Sequence, residues 1–327
     1  MGNIKNINQR ALCIFALFLA YVTISIISGF RVNSGADFEN YKYYYQVIQL
    51  SDYSVIYEPL FYMVFKLSPS FNFALFIIAL TTNILLFFYS VKSVRMSFFF
   101  FLLLILSDVF LAQFNIIRQT LAFSFLLFFV RNFEEGKIRN SIIFSLLAVF
   151  SHYGAIFFII GCFFIRLVKI KQINYIIISI IMMLFSFFGL MDLFGPIIID
   201  IMPGKYVAYS GYFSSGKFEF SLRYFIEYLL ILSVYYYSGR KNNFSLSIII
   251  VGFIILFMAM SFPIMYRLAY YFVFFKIVYF TRVVENINSS INKCFLVMAI
   301  LLFYILLTYF NVESNVFNIF PYSNLYL

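Results

Sequence analysis

The chain alternates long apolar stretches with short polar intervals, and the apolar stretches have the length of membrane helices. A spanning helix needs about 20 apolar residues, and fewer where it is broken or packed inside a bundle. The pattern therefore predicts an all-α, polytopic integral membrane protein with about 11–12 transmembrane helices. The predicted spans are 11–30, 71–90, 97–113, 115–131, 138–151, 154–168, 173–191, 221–238, 244–262, 264–281 and 294–310.

Two longer polar intervals separate these spans and are predicted to be external loops. The first, 31–70, contains the apolar segment 57–67, which is too short to cross a bilayer and is predicted to be a re-entrant or interfacial helix. In the second loop, 192–220, prolines and glycines alternate with aromatic residues. Neither loop is long enough to be a soluble domain, so residues 1–327 are predicted to form one transmembrane domain, with a cavity between external loops.

Composition supports this class. Hydrophobic residues make up 64% of the chain and charged residues 11%, against roughly 25% charged residues in a soluble domain. A net charge of +10 would point to nucleic acid in a soluble protein. Here basic residues set the topology instead, and no nucleic-acid partner is expected. The three cysteines lie far apart in apolar runs without metal-ligand spacing, which predicts buried core residues.

The distribution of basic residues predicts the orientation. With the amino terminus inside, most of the 23 lysines and arginines fall on the inner side, with Lys276 near that side. This predicts a multi-pass membrane protein with its amino terminus on the inner side. Four arginines from distant parts of the chain remain at outer helix ends, where the positive-inside rule does not explain them: Arg31, Arg118, Arg223 and Arg267.

The first outer loop begins with the most polar run of the chain, FRVNSGADFENYKYYY, at residues 30–45. Arg31 and Asp37 flank a turn at Gly35, and Tyr41 follows Asp37 at helical spacing. A cation, a carboxylate and phenols beside a membrane suit a phosphorylated or sugar-bearing ligand. An interfacial loop with an aromatic belt is the alternative interpretation, because tyrosines gather at headgroup depth.

Polar residues within apolar spans are candidates for function because inserting them is costly. Asn115 and Arg118 are three residues apart and can face one cavity, with Gln119 adjacent. His152 is the only histidine, and it is either a hydrogen-bonded structural residue or a group that binds phosphate or acts as a base. Arg223 and Glu227 are four apart and can pair with each other.

Outer arginines indicate an anionic ligand, because guanidinium groups form bidentate bonds to phosphate oxygens and stay charged when poorly solvated. A pyrophosphate that is held and stabilised as it leaves fits this chemistry. Arg267 also precedes Tyr270 on the outer side. The sequence has no DxD-type carboxylate pair, no histidine-rich cluster and no GxxxxGK[ST] nucleotide cradle. We therefore expect neither a metal nor a cofactor.

Four motifs in order, FRVNSGADFENY, YEPLF, NIIRQTLA and SHYGA, resemble the EpsG-like branch of the Wzy polymerases, which polymerise bacterial O-antigen and exopolysaccharide repeat units. The resemblance covers roughly residues 28–165; beyond these, only hydropathy and the arginine positions agree. The positions that match the motifs are Arg31, Asp37, Tyr41, Arg118 and His152; Arg223 and Arg267 match by position alone.

The resemblance implies an inverting, metal-independent glycosyltransferase with a GT-C-like fold that acts on the outer face of the inner membrane. Its substrates would be undecaprenyl-pyrophosphate-linked glycans, and its partners membrane lipid, a chain-length regulator protein and a flippase. Asp37 or His152 would accept the proton, and Arg118 would stabilise the leaving group. Arg31, Tyr41, Gln119, Arg223, Arg267 and Tyr270 would bind pyrophosphate or glycan.

Other functions share part of this pattern. An O-antigen ligase or another lipid-linked glycosyltransferase would use the same arginines. A polysaccharide flippase or transporter would also line a cavity with arginines, but it needs no base. A membrane acyltransferase fits poorly, because the single histidine has no neighbouring carboxylate in sequence.

Overall fold

The computed structural model describes residues 2–50, 58–93, 96–168, 171–188, 221–238, 244–260 and 265–324, with side chains from residue 9 onward. Almost all of these residues are helical, which confirms the predicted helical membrane protein. The predicted second external loop, 192–220, lies outside the described residues.

The helices follow the predicted spans closely. They are α1 Gly2–Gly29, α2 Phe38–Leu50, α3 Pro59–Leu67, α4 Phe71–Ser93, α5 Ser97–Leu106, α6 Val109–Ala112, α7 Ile117–Glu134, α8 Ile138–Ser151, α9 Ala155–Val168, α10 Gln172–Phe187, α11 Leu222–Tyr237, α12 Phe244–Ala259, α13 Met265–Val273, α14 Lys276–Glu285 and α15 Ser290–Glu313. The short apolar segment 57–67 forms α3, in which Pro59 takes a first-turn position where no backbone donor is needed.

Among the described residues, three helical stretches are long and apolar enough to cross a membrane unaided: Gln9–Gly29, Phe71–Ser93 and Ser290–Glu313. Shorter apolar helices account for several other predicted spans. The span predicted at 97–113 is broken into α5 and α6 at Asp108, which is buried and has a φ of +67°. The span at 264–281 is likewise divided into α13 and α14. The number of crossings stays a prediction.

The described chain divides into two compact units, one of Met1–Ile156 with Asn288–Leu327 and one of Phe157–Ile287. In the first unit α1 packs along α4 in the opposite direction. Phe30 stacks on Phe76 at 4.6 Å between ring centroids, and Phe18 meets Phe87 at 5.4 Å. Helix α7 lies almost wholly inside this unit, packed on α4 and α8.

The carboxy-terminal segment returns to the first outer loop. Residues Arg31–Val32 and Ser323–Asn324 form a short antiparallel ladder. The backbone N–H of Gly35 donates to Asn318 O at 2.8 Å, and Asn115 Nδ2 donates to Phe317 O at 3.0 Å. Asn115 therefore fastens the carboxy-terminal segment in this structure, whereas the sequence spacing had placed it with Arg118 in one cavity.

The second unit is built on most of α9 and on α10, α11, α12, α13 and α14, and its glycines allow close packing. A Cβ on Gly252 would come within 2.7 Å of the Phe272 side chain and 2.9 Å of the Val273 backbone nitrogen. Buried hydroxyls also link its helices, as where Ser186 donates to Phe257 O at 2.6 Å. Close approach of this kind is how helices associate in lipid, where apolar surfaces gain little by association.

The prediction that all three cysteines are buried was wrong for two of them. Cys162 is buried, but Cys13 and Cys294 are exposed on the surfaces of their helices. An apolar run shows that its residues can lie against lipid or against protein, and a cysteine is tolerated in both places. Helix packing decides which face meets the protein.

Candidate functional site

Arg118 forms the principal charged contact of the first unit. Its Nη1 lies 2.8 Å from Oε2 of Glu58, and the two side chains are 21% and 6% exposed. Glu58 has extended backbone angles immediately before Pro59, as residues preceding proline favour. Arg118 lies in the first turn of α7, just after the tight turn that follows α6. Two helix starts thus bring together opposite charges that are 60 residues apart.

Two aromatic rings complete this contact. The guanidinium carbon of Arg118 lies 5.8 Å from the ring centroid of Tyr41 and 5.3 Å from that of Phe61, within the range of cation–π attraction. The two rings are 5.9 Å apart, and both side chains are buried. We call Tyr41, Glu58, Phe61 and Arg118 the Arg118 cluster. It unites α2, α3 and α7 around one charged group.

The cluster holds Arg118 without enclosing its whole side chain. Its Nε–H has no hydrogen-bond acceptor among the described residues, and a fifth of the side chain is exposed. A guanidinium carries five N–H donors in a planar fork, of which Glu58 uses a small part. The arrangement holds the group in place while part of the side chain stays exposed.

Arg31 is positioned very differently. It is 1% exposed, and its guanidinium donates to Ser34 O at 3.1 Å, to Phe114 O at 3.0 Å and to Ser28 O. Burial lowers the pKa of Arg31 to about 10, so the group stays charged at neutral pH. These bonds close the loop after α1 against the turn before α7. That Arg31 binds pyrophosphate stays a prediction; what the structure shows is a loop-fastening role.

Gly35 has a backbone conformation that favours glycine. Its φ is +101°, and a Cβ there would overlap Phe114 O. The turn predicted at this position therefore also serves a close approach to the segment that leads into α7.

The two predicted proton acceptors lie at helix ends. Asp37 is half-buried just before α2, where its Oδ1 accepts from Asn40 Nδ2 at 3.4 Å. His152 ends α8, and its Nδ1 accepts the Gly154 N–H at 3.1 Å. Gln119 is 2% exposed in the first turn of α7. The structure brings Tyr41 to Arg118, and the choice between Asp37 and His152 stays open.

The remaining predicted site residues belong to the second unit. Arg223 is half-buried, with its guanidinium carbon 5.2 Å from the ring centroid of Tyr224. Arg267 is exposed on α13, and the Tyr270 ring stacks on Phe274 at 5.4 Å. Their predicted contact with the substrate stays a prediction.

The second unit also encloses an ion pair that sequence reasoning missed. Nζ of Lys276 lies 2.7 Å from Oε1 of Glu227, and the side chains are 1% and 0% exposed. The sequence placed Lys276 near the inner side and offered Arg223 as partner for Glu227. The break between α13 and α14 instead starts a new helix at Lys276 inside the packed unit.

Glu58 was the missed residue of the first unit. It lies in the YEPLF motif at the start of the segment 57–67 and was not predicted to be a site residue. An acidic residue that opens an apolar outer helix, in a chain with unexplained outer arginines, is nevertheless a candidate arginine partner. Among the described residues, no three histidine, cysteine, aspartate or glutamate side chains lie together in a way that could hold a metal ion.

The fold and this buried charged cluster define a helical integral membrane protein with an arginine-based polar site. A model of the EpsG family matches residues 14–324, nearly the whole chain, and the protein belongs to that family. The match extends the similarity well beyond residues 28–165. Membership indicates a polysaccharide polymerase-like role of glycosyltransferase type. Neither a curated protein nor a solved structure matches the chain.

Proposed function

We propose that this protein polymerises undecaprenyl-pyrophosphate-linked oligosaccharide repeat units into O-antigen or exopolysaccharide. The reaction is an inverting, metal-independent glycosyl transfer on the outer face of the bacterial inner membrane. Family membership and the membrane fold support the class. The observation that carries the proposal is the Arg118 cluster, a partly exposed guanidinium held by a carboxylate and two rings.

Arg118 binds the pyrophosphate of the donor. Because Glu58 and the rings fix its position, little conformational entropy is lost when a phosphate oxygen reaches the remaining N–H donors. Positive charge placed where negative charge develops on the leaving group lowers the barrier. Tyr41, which is 4% exposed, holds Arg118 rather than stacking on sugar. Tyr43 is 62% exposed on the same helix and is the better surface for a sugar ring.

The transfer is a single displacement. A hydroxyl oxygen of the incoming repeat unit attacks the anomeric carbon of the growing chain, and the bond from that carbon to the pyrophosphate oxygen breaks. The pyrophosphate leaves with the electron pair toward Arg118. Asp37 or His152 takes the hydroxyl proton. A chain-length regulator and a flippase are proposed as partners, since long polymer requires controlled supply and termination.

The test replaces Arg118 by Lys, which keeps the charge and loses the planar fork. In a strain that depends on this protein, we expect the long-chain polysaccharide to collapse to short chains and single repeat units. The matched control is Arg139→Lys at an exposed site on α8, and it should leave chain length unchanged. Undiminished long chains from the Arg118→Lys protein would overturn the assignment.

The same strain separates the rival enzymes. Deleting a polymerase leaves single repeat units on lipid A, whereas deleting a ligase leaves none. Lipid-linked repeat units trapped at the inner face would instead identify a flippase. Either of the latter results would replace polymerisation as the proposed function.

A further inference from the structure

A second candidate site lies in the first unit, in a cleft between α1, the end of α4 and the start of α5. Its cavity volume is about 920 Å³, and Arg10, Cys13, Lys92 and Ser97 are among its lining residues. None of these belongs to the Arg118 cluster.

The two cations of the cleft lie toward the same end of the helix pair. Because Phe30 contacts Phe76 and Phe18 contacts Phe87, α1 and α4 run in opposite directions. The amino-terminal part of α1, with Arg10, therefore lies beside the carboxy-terminal end of α4, with Lys92. Lys92 Nζ also lies 5.3 Å from the Phe88 ring centroid, which orders its side chain.

The rest of the cleft is mostly apolar and suits a hydrocarbon chain. Along α1 it extends from residue 10 to residue 20, about 15 Å at the rise of an α-helix. Ala16 and Ala20 leave room on that wall, and Ile14 and Leu17 supply apolar surface. Among the described residues that line it, none is acidic, so the charges of Arg10 and Lys92 are not neutralised from the cleft walls.

We propose that this cleft binds an anionic membrane phospholipid. Its phosphate lies between Arg10 and Lys92, and one acyl chain lies along α1 past Ala16 and Ala20. Basic pockets between membrane helices on the cytoplasmic side are sites of anionic headgroup binding. The predicted orientation puts this end of the helix pair on that side. A bare phosphate anion would satisfy the cations but leave the 15 Å apolar wall unused.

The chain provides its own probe for this proposal. Cys13 lines the cleft and is exposed, Cys294 is exposed elsewhere, and Cys162 is buried. We would measure maleimide labelling of Cys13 and Cys294 by mass spectrometry on the full-length protein in detergent. Phosphatidylglycerol, phosphatidylcholine or inorganic phosphate would be added separately. We expect only phosphatidylglycerol to slow the labelling of Cys13, with no change at Cys294.

Two sets of variants sharpen the result. The double variant Arg10→Gln/Lys92→Gln should raise the phosphatidylglycerol concentration that protects Cys13 roughly thirtyfold. Each basic residue near an anionic headgroup contributes a factor of about five to the affinity. Its matched control, Arg139→Gln/Lys293→Gln, removes the same charge outside the cleft lining and should keep protection. Ala16→Phe keeps both cations and fills the space along the apolar wall, so the protection of Cys13 should fall if an acyl chain lies there.

The other outcomes overturn the proposal. Equal protection by phosphatidylcholine would show that the headgroup charge is not recognised. Equal protection by inorganic phosphate, or full protection in Ala16→Phe, would identify an anion site without a lipid chain. Unchanged labelling with every additive would show that the cleft binds none of them. None of these results bears on the Arg118 cluster.

Discussion

In the part of the chain that the structure describes, each unit contains a buried acid–base pair, and these two pairs differ in their access to the surroundings. Arg118 and Glu58 retain side-chain exposures of 21% and 6%. Lys276 and Glu227 retain 1% and 0%. The cation of the first pair is a planar, partly exposed guanidinium, whereas that of the second is a compact ammonium.

The difference separates two uses of charge in a membrane protein. A sealed pair cannot exchange its partner without opening the unit, so its effect is on stability and helix register. A partly open arginine can add an anionic ligand while its partner holds it. The proposed ligand-binding role of Arg118 and a structural role for Lys276 follow this difference, and a third, exposed pair at Glu135 serves as reference.

The largest effect is expected for the sealed pair. Lys276→Met removes the ammonium group that lies 2.7 Å from the buried carboxylate of Glu227, which should cost about 3–5 kcal/mol of unfolding free energy. The measurement is denaturation of the purified protein in mixed micelles. The double variant Lys276→Met/Glu227→Gln removes both charges and should recover most of the loss. A single variant as stable as the parent protein would show that the pair is not sealed.

An intermediate effect on stability and a marked effect on product are expected for Glu58→Gln. The amide keeps the size of the side chain but loses the charge-assisted bond to Arg118, at a cost of about 1–2 kcal/mol. Because Arg118 then loses its fixed position, polysaccharide chain length should fall. Glu135→Gln is the matched control, since Glu135 also accepts from an arginine, Arg131, at 3.0 Å. Normal chain length in Glu58→Gln would remove Glu58 from the positioning role.

The smallest effect is expected for the exposed pair and depends on pH. Hydrogen bonds from Lys137 and from Arg131 hold the pKa of Glu135 below its ordinary value. The Glu135 carboxylate therefore binds a proton more readily in the unfolded chain. Its contribution to the free energy of unfolding is present above the ordinary carboxylate pKa and is lost as pH falls through the pKa of the folded protein. At pH 7, Glu135→Gln should cost at most about 0.5 kcal/mol.

That cost should disappear in strong acid when the two proteins are compared by thermal unfolding. A loss that stayed constant with pH would mean that the Glu135 side chain acts through packing instead of charge. The three variants together would then rank the pairs by exposure, from sealed to open.

The pattern of hydrophobic residues along the sequence determined the fold class and the approximate positions of the helices. It predicted the helical membrane fold, the position of nearly every described helix and the short helix at 57–67. These features follow from local composition, because a membrane helix satisfies its own backbone and needs only an apolar surface. The same reasoning could not say which helix face meets protein, so the exposure of Cys13 and Cys294 was missed.

Tertiary structure alone decided how the charges pair. Glu58 and Arg118 are 60 positions apart, Glu227 and Lys276 are 49 apart, and the carboxy-terminal strand reaches back to Arg31. Helical spacing shows which residues share a face within one helix, but not which helix that face meets. The sequence alone therefore determined at which positions charged residues lie. Packing determined that Lys276 is sealed, that Arg31 fastens a loop and that Arg118 stays partly exposed.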